Sequence, residues 1–443
     1  MSPSQVIILG AGVTGLAAGY VSGFPVYETT EHAGGICSSY YICPNSQVRL
    51  FSAPKNEEAY RFEIGGGHWI FGGDPLVLEF IGSLTPLKSY VRRSGVYFPD
   101  RDLFVPYPIQ NHLRYLGPKV AAQVLEEIHF NQISQRRWVT KADWLEANFG
   151  PTLYKLFFEP FHELYTAGLF RKIAPQDAYK TPVDFSRIVQ GAFNDVPQVG
   201  YNITFVYPVE GLNVLVQRMA ERCRIHYSKR VVKVDAESRE IYFEDGSSQG
   251  YEKLISTLPL NQIVEMTGLD VRERPDPATS VLVVNIGALK GSRCPSEHWL
   301  YIPKSRAGFH RVGFYSNVDP SFLPLSAREK QNRVSIYVEK ACQEGAKPSE
   351  AQVSSLCEEI VRELQEWGWV QEPEVVDPTW IDVAYTWSWP GSLWRTKVLQ
   401  KLEEYGIYQV GRYGRWIFQG IAESKRDGLI AGAIYQHRFI AAR

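Results

Sequence analysis

The chain has 443 residues, of which 44% are hydrophobic and 13% aromatic, enough to build a substantial core in two or three domains. Its 47 basic and 48 acidic residues leave a formal net charge of −1, which argues against nucleic acid as a partner and against an anionic membrane surface. No apolar run reaches the roughly eighteen residues that a transmembrane helix needs, so no membrane span is predicted.

The six cysteines are scattered, with no Cys-x-x-Cys pair and no Cys/His spacing typical of a metal site. In a chain of this length such usage is typical of reduced thiols, so a cytoplasmic protein without a bound metal is predicted. Cys37 is interpreted as a small buried residue.

The first predicted elements form a phosphate-binding turn. An apolar strand, Val6 to Leu9, leads into Gly10, Gly12 and Gly15 and then into a helix-like run. In such a turn the first glycine permits the tight bend, the second lets a phosphate approach the backbone, and the third lets helix and strand pack closely. The spacing therefore predicts a pyrophosphate at a helix N-terminus.

A second short strand supports the same interpretation. It runs from Pro25 to Glu28 and ends in an acid eighteen residues after Gly10, where a ribose-binding carboxylate belongs. Gly34 and Gly35 follow directly. Together these features predict a binding site for the adenosine half of FAD.

The pattern becomes helical from Pro118 to Phe158. Thr140 predicts a helix N-cap, and an insertion of helices is expected mostly between 110 and 190. This insertion is a candidate contact surface for a homo-oligomer. One helical face is indicated by the apolar residues Val120, Ala121, Val124, Leu125 and Ile128.

The rest of the chain alternates between strand and helix signals. Strands are predicted at 230–234, 240–243, 254–258, 280–287 and 334–338, and helices at 349–368 and 429–440. The predicted class is α/β with α+β insertions. The predicted domains are a Rossmann-like FAD-binding domain (1–75 with about 205–265 and 400–443), a helical domain (about 76–190) and an antiparallel-sheet substrate domain (about 266–399 with 191–204).

Several further segments make the chain resemble a known family. They are Phe62–Phe71 (FEIGGGHWIF), Val105–Asn111 (VPYPIQN), Trp299–Pro303 (WLYIP), Phe309–Arg311, Phe314–Asn317 and Gly411–Trp416 (GRYGRW). In this order and at these intervals they resemble the UDP-galactopyranose mutases, especially the longer eukaryotic-like type, from residue 6 to about 432. The N-terminal part is shared with many flavin amine oxidases and protoporphyrinogen oxidases, whereas V-P-Y-P-x-Q-N, W-L-Y-x-P and G-R-x-G-x-W are more specific.

The resemblance implies a set of cofactor contacts. His68, which follows Gly66 and Gly67, matches a histidine beside the reactive edge of the flavin. Gly411 and Arg412 match the closing contact to the flavin phosphate. Val232, in the predicted strand at 230–234, is also assigned to the cofactor-binding set.

The resemblance also implies a nucleobase site. Tyr107 and Gln110 match positions that hold the base, because a ring supplies a stacking face and an amide supplies a donor and an acceptor. Ile109 stands where an aromatic residue is usual. A proline-rich surface loop is the alternative interpretation of this segment.

A diphosphate site follows from the same resemblance. Arg311 matches the arginine that binds the diphosphate, since its fork of donors suits phosphate oxygens. Tyr301 matches a hydroxyl donor to the same group, Trp299 a neighbouring wall, and Arg187 a second positive charge.

Two positions depart from the family pattern. Phe418 stands where a tyrosine is usual, and Ala422 stands where a polar phosphate ligand is usual. Each would remove a hydrogen bond to a charged acceptor, worth about 1.5–3 kcal/mol. Gln419, Ser424, Lys425 and Arg426 are candidates to compensate, and otherwise the substrate differs from UDP-galactose.

The function implied is an isomerase that interconverts the pyranose and furanose forms of an NDP-hexose such as UDP-galactose. It would require reduced FAD, whose N5 acts as nucleophile at the anomeric carbon, with His68 and Arg311 as catalytic residues. Two alternatives stay open. One is a FAD-dependent oxidase of the amine or protoporphyrinogen type, and the other is a flavoprotein without catalytic activity.

Overall fold

The computed structural model describes residues 6–134, 138–176, 181, 183–197 and 202–441. Its strands are β1 (Val6–Leu9), β2 (Pro25–Tyr27), β3 (Ser39–Ile42), β4 (Tyr60–Glu63), β5 (Ile70–Phe71), β6 (Leu87–Val91), β7 (Ser94–Phe98), β8 (Leu103–Pro106), β9 (Thr204–Pro208), β10 (Arg224–His226), β11 (Val231–Asp235), β12 (Glu240–Phe243), β13 (Ser248–Gly250), β14 (Lys253–Ser256), β15 (Ala278–Lys290), β16 (Trp299–Tyr301), β17 (Arg311–Phe314), β18 (Arg333–Gln343), β19 (Val370–Thr386) and β20 (Ile407–Gln409). Its helices are α1 (Val13–Ser22), α2 (Pro75–Leu84), α3 (Pro118–Ser134), α4 (Lys141–Leu153), α5 (Glu159–Tyr165), α6 (Phe185–Phe193), α7 (Leu212–Ala220), α8 (Leu260–Thr267), α9 (Tyr315–Val318), α10 (Leu325–Arg328), α11 (Glu350–Glu366), α12 (Trp394–Glu404), α13 (Gly411–Gly414) and α14 (Ile421–Ala441).

A five-stranded parallel sheet, in the order β10-β2-β1-β14-β20, carries the N-terminal turn. All four residues of β1 are buried, as expected for a continuous apolar strand in a parallel sheet. The C-terminal helix α14 packs along α1, where Gly428 and Gly432 leave no room for a side chain. The predicted α/β class with a Rossmann-like sheet is confirmed.

A seven-stranded sheet forms the second layer, in the order β19-β15-β18-β17-β16-β7-β8. It is antiparallel except where β16 runs parallel to β7. The expectation that residues 76–190 are helical is therefore wrong for the part between 87 and 106, which forms β6, β7 and β8. The short apolar pattern of β7 gave no sign of this, because its partner β16 lies far along the chain. The division of the chain into three domains stays a prediction, and part of the 191–204 segment assigned to the third domain lies outside the described residues.

The helices that follow β8 along the chain begin as the sequence predicted. Thr140 caps α4 and forms a capping box with Asp143. On α3 the side chains of Ala121, Val124 and Ile128 are buried. A π-helical turn, Tyr154–Phe158, joins α4 to α5.

Two further expectations are refined. The hairpin of β11 and β12 forms, but it pairs with β13 in a separate three-stranded sheet. The C-terminal helix begins at Ile421 rather than at 429. Within the described ranges no helix is both long enough and apolar enough to cross a membrane. All six cysteines lie in those ranges and are free.

Candidate active site

A cavity of about 920 Å³ opens between the parallel sheet and the seven-stranded sheet. One end is formed by Gly12, Val13 and Thr14 at the β1–α1 turn. Its lining also includes Arg311 on β17 and Glu339 on β18. Its size lies at the upper end of the range for small-molecule and cofactor sites, about 300–1,000 Å³.

The β1–α1 turn depends on its three glycines in different ways. Gly10 has φ +91°, a conformation that side chains rarely adopt. A Cβ on Gly15 would overlap the carbonyl oxygen of Gly10, whereas a Cβ on Gly12 would meet no protein atom within 4 Å. Gly12 therefore leaves open space above the turn, and α1 starts at the cavity with no side chain capping its N-terminus.

His68 lies in the wall of the cavity, held by its own glycine-rich segment. Its Nδ1 lies 3.0 Å from the carbonyl oxygen of Gly66, so Nδ1 carries the proton and Nε2 is the acceptor. Burial lowers the pKa of His68 to about 4, so the ring is neutral near pH 7. Gly67 lies so close to β18 that a Cβ there would overlap the hydroxyl of Tyr337.

Arg311 faces the cavity as half of an ion pair with Glu339. Tyr385 donates its hydroxyl to the other oxygen of Glu339 at 3.2 Å, and Nε2 of His310 lies 3.6 Å from that oxygen. The Glu339 side chain is only 2% exposed. Burial raises the pKa of Glu339, but Arg311 and His310 outweigh burial and hold it at about 2. Nε of Arg311 has no hydrogen-bond partner in the described part of the chain.

A second wall of the cavity is aromatic. The rings of Tyr107 and Tyr301 lie 4.7 Å apart, centroid to centroid, and Trp299 lines the cavity beside them. Arg92 holds this wall from behind, since its Nη2 donates to the carbonyl oxygen of Tyr107 at 3.4 Å. The wall thus offers flat rings at a fixed position next to Arg311.

The family model for flavin containing amine oxidoreductases matches residues 24–283, more than half of the chain. The chain belongs to this family. Its membership implies a flavin cofactor.

Several solved structures have the same fold as this chain over nearly its whole length. A reduced UDP-galactopyranose mutase is 22% identical with a TM-score of 0.80, covering 99% of this chain and 96% of that one. A protein from Exiguobacterium sp. 255-15, described as a protoporphyrinogen oxidase, is 13% identical with a TM-score of 0.72, covering 99% and 100%. Cyclohexylamine oxidase from Brevibacterium oxydans IH-35A is 12% identical with a TM-score of 0.59, covering 99% of both chains. At these identities the likeness shows the fold alone.

The residues at the turn fit the flavin of the amine oxidoreductase family. Glu28 is buried at the end of β2, where one oxygen accepts from the N–H of Ala11 at 2.7 Å and the other from Thr30. Gly34 and Gly35 line the cavity beside it with φ +112° and +56°. The open space at Gly12 and the uncapped start of α1 suit a pyrophosphate.

Arg412 also lies in the cavity wall. Its guanidinium donates to the carbonyl oxygens of Ala384 and Gln419 at 3.1 and 3.3 Å, while Nε is buried without a partner among the described residues. The ring of Phe418 lies 4.8 Å from this guanidinium and lines the cavity. Gly411 lies behind Arg412, against Thr14.

Eight predicted site residues do not line the cavity. Five of them belong to the turns described above, namely Gly10, Gly15, Glu28, Gly66 and Gly411, and the other three are Gln110, Arg187 and Val232. Gln110 is buried in the 3-10 turn behind Tyr107. Arg187 lies on the surface of α6, where it pairs with Asp184 at 3.1 Å. Val232 is 49% exposed on β11.

Of the four candidates to compensate for Phe418 and Ala422, two line the cavity and two, Lys425 and Arg426, do not. Gln419 and Ser424 line the cavity. Lys425 instead points into the protein, where Nζ donates to Sδ of Met219 at 2.8 Å, so it does not reach a ligand in the cavity.

Sequence reasoning assigned no role to Glu339 or to His162. The predicted strand at 334–338 stopped one residue before Glu339, whose pairing with Arg311 follows from the β17–β18 register. His162 lines the cavity from α5. Its signal was a lone histidine within an aromatic run, which local patterns do not separate from a core histidine.

Proposed function

We propose that this member of the flavin-containing amine oxidoreductase family is a sugar-nucleotide mutase that interconverts the pyranose and furanose forms of an NDP-hexose. The observation that supports this most is Arg311 in the cavity wall, with an unpartnered buried Nε–H beside the Tyr107–Tyr301 ring pair. A guanidinium next to stacking rings matches a nucleoside diphosphate, which carries an anionic group beside a flat base. A protonated amine carries a positive charge, which the guanidinium of Arg311 would repel.

Reduced FAD, when bound, would supply the nucleophile for the anomeric carbon. Arg311 and Tyr301 would bind the diphosphate as it leaves the anomeric carbon and returns to it. His68 is neutral and fixed by Gly66, so Nε2 can accept a proton or a hydrogen bond without adding charge near the cofactor. The aromatic walls would exclude water from the reacting carbon.

The direct test uses the purified holoprotein with and without dithionite under anaerobic conditions. It is offered UDP-, dTDP- and GDP-hexoses, and the products are separated by chromatography and assigned by NMR. We expect a furanose product only from the reduced protein. Absence of turnover with every sugar nucleotide by the reduced holoprotein would refute the proposal.

An oxidase is the second candidate, and the apolar side of the cavity favours it. Phe157, Phe158 and Phe161 line this side, together with Trp387 and with Phe418 in place of a tyrosine. Such a lining suits an apolar amine or a porphyrinogen. The oxidised holoprotein is therefore also incubated with amines and protoporphyrinogen, and hydrogen peroxide is measured. Peroxide formation without any mutase activity would select this second function.

A further inference from the structure

The carboxylate of Glu339 has one neighbour that approaches it without bonding to it. Arg311 donates to one of its oxygens and Tyr385 to the other. Nε2 of His310 lies 3.6 Å from this second oxygen, beyond hydrogen-bond distance, and neither ring nitrogen of His310 has a hydrogen-bond partner in the described part of the chain. The His310 side chain is only 1% exposed and lines the cavity. A buried imidazole with both nitrogens unpartnered is costly to the fold.

The backbone of His310 is fixed beside Glu339. Its N–H donates to the carbonyl oxygen of Glu339 at 3.0 Å, and its carbonyl oxygen accepts from the N–H of Ile302 at 2.9 Å. His310 is therefore held between β18 and the residue that follows β16. A shift of the ring by less than about 1 Å would bring Nε2 into hydrogen-bond distance of the carboxylate.

Before an anion binds, the charges around His310 favour the neutral ring. Burial lowers the pKa of His310 and outweighs the opposing charge of Glu339. Arg311 and Lys340 lower this pKa further. Since Glu339 is already paired with Arg311, a proton on His310 would add a second cation without a second anion. The titratable groups near the ring come from four strands and helices: Glu339 and Lys340 on β18, Arg311 on β17, Tyr165 on α5 and Tyr385 on β19.

A bound diphosphate changes this charge balance. It would place two negative charges beside Arg311, whose single positive charge is then shared between the ligand and Glu339. A buried carboxylate that loses its cation is strongly destabilised. A proton on His310 gives Glu339 a new partner, because an imidazolium Nε2–H can donate to the oxygen that already lies 3.6 Å away. The guanidinium of Arg311 is then available to the diphosphate.

We propose that His310 is a positioning residue that takes up one proton from solvent when the diphosphate of a sugar nucleotide binds at Arg311. As an imidazolium it pairs with Glu339 in place of the guanidinium. This inference rests on the proposed function and adds a proton to substrate binding. The diphosphate gains one further negative charge when its bond to the anomeric carbon breaks, so the imidazolium would stabilise it at that stage as well.

Proton uptake is measured by calorimetric titration of the oxidised holoprotein with UDP-galactose, in HEPES and in Tris, at several pH values from 6 to 8.5. No phosphate group of UDP-galactose titrates in this range, and the difference in heat between the buffers gives the number of protons taken up. Between the pKa of His310 in the free protein and its higher pKa in the complex, we expect uptake of up to about one proton. The affinity should fall by up to about 10-fold per pH unit over the same interval and level off above it.

Matched variants assign the proton to one residue. His310→Gln can still donate to Glu339 but cannot take up a proton, so the uptake and the pH dependence should both disappear. Glu339→Gln keeps the imidazole but removes the charge that it would pair with, and the uptake should disappear there too. His162→Gln is the control, because it removes another buried histidine of the cavity wall, one with no carboxylate of the described ranges within ion-pair distance. It should take up as many protons as the wild type.

Two results would overturn the inference. One is that the wild type binds UDP-galactose without proton uptake at every pH from 6 to 8.5, a result that needs no variant. The other is that a folded His310→Gln, with full flavin absorbance, takes up as many protons as the wild type. Either result leaves the mutase proposal standing, because UDP-galactose is bound. If the wild type binds no UDP-galactose, the nucleotide site itself is refuted and this inference with it.

Discussion

At the scale of single residues, Arg311 and Glu339 cannot be altered independently. The carboxylate is 2% exposed and depends on the guanidinium for its charged state. We expect Arg311→Ala to lower the free energy of unfolding by about 2–4 kcal/mol, because it leaves a buried charge without its partner. The double variant Arg311→Ala/Glu339→Gln should recover most of this loss. Urea unfolding at pH 7 with saturating FAD measures both.

The control for this pair is Arg306→Ala, which removes an exposed ion pair with Glu366. Exposed pairs contribute about 0–1 kcal/mol, so its effect should stay within that range. A double variant no more stable than Arg311→Ala would show that the buried charge of Glu339 is not the cause of the loss.

A substitution at Phe418 can show whether the ligand in the cavity carries a phosphate. Its ring lies 4.8 Å from the guanidinium of Arg412 and forms part of the cavity wall. Phe418→Tyr keeps the ring and adds one hydroxyl donor. If the cavity binds a diphosphate, we expect UDP to bind about 10-fold more tightly, as for a hydrogen bond to a charged acceptor. Titration of the oxidised holoprotein measures this, and unchanged or weaker binding would argue for a ligand without a phosphate at this point.

At the scale of elements, two glycines of the β1–α1 turn have different roles. Gly15 allows helix and strand to pack closely, whereas Gly12 leaves room for a ligand. Gly15→Ala should prevent correct packing of helix on strand, because its Cβ overlaps the backbone of Gly10. Gly12→Ala should fold normally, since its Cβ meets open space, but should weaken FAD binding at least about 10-fold by filling the approach to the turn. Flavin absorbance per protein and thermal unfolding of the apoproteins distinguish the two. Gly82→Ala in α2, where the nearest atom is 4.0 Å away, is the control. Equal flavin content in Gly12→Ala and the wild type would contradict the expected role of Gly12.

The elements also show which features a sequence can predict. The turn at Gly10 and the N-cap at Thr140 depend on residues close together in the chain, and both were predicted correctly. The pairing of β7 with β16 and of Arg311 with Glu339 depends on register between distant strands, which no local pattern contains. The position of His162 depends on a π-helical turn, Tyr154–Phe158, which the sequence of that segment does not predict. Much of the β1–α1 turn could thus be predicted, whereas the surroundings of Arg311 and His162 could not.

At the scale of the whole molecule, three distant segments meet around one buried amine. Lys425 of α14 is fully buried between α7, which contributes Met219, and the loop that contains Cys37. Its amine has a sulfur as hydrogen-bond partner and no carboxylate within ion-pair distance in the described ranges. Burial lowers the pKa of Lys425 from 10.5 to about 7, and this makes the joint between the first and last parts of the chain sensitive to pH.

The sign of this dependence follows from proton binding. Between pH 10.5 and about 7 the unfolded chain binds a proton at Lys425 that the folded chain does not, so the cost of burying this residue grows as the pH falls and levels off below about pH 7. We expect Lys425→Met, which keeps an unbranched side chain, to be more stable than the wild type by about 2–5 kcal/mol at pH 7. This difference should shrink steadily towards pH 10. Urea unfolding of both proteins at pH 7, 8.5 and 10 measures it. Lys401→Met on α12, where the side chain is 39% exposed, is a control that should show no such trend. A difference that stays constant over this range would mean that the amine is already protonated in the folded protein.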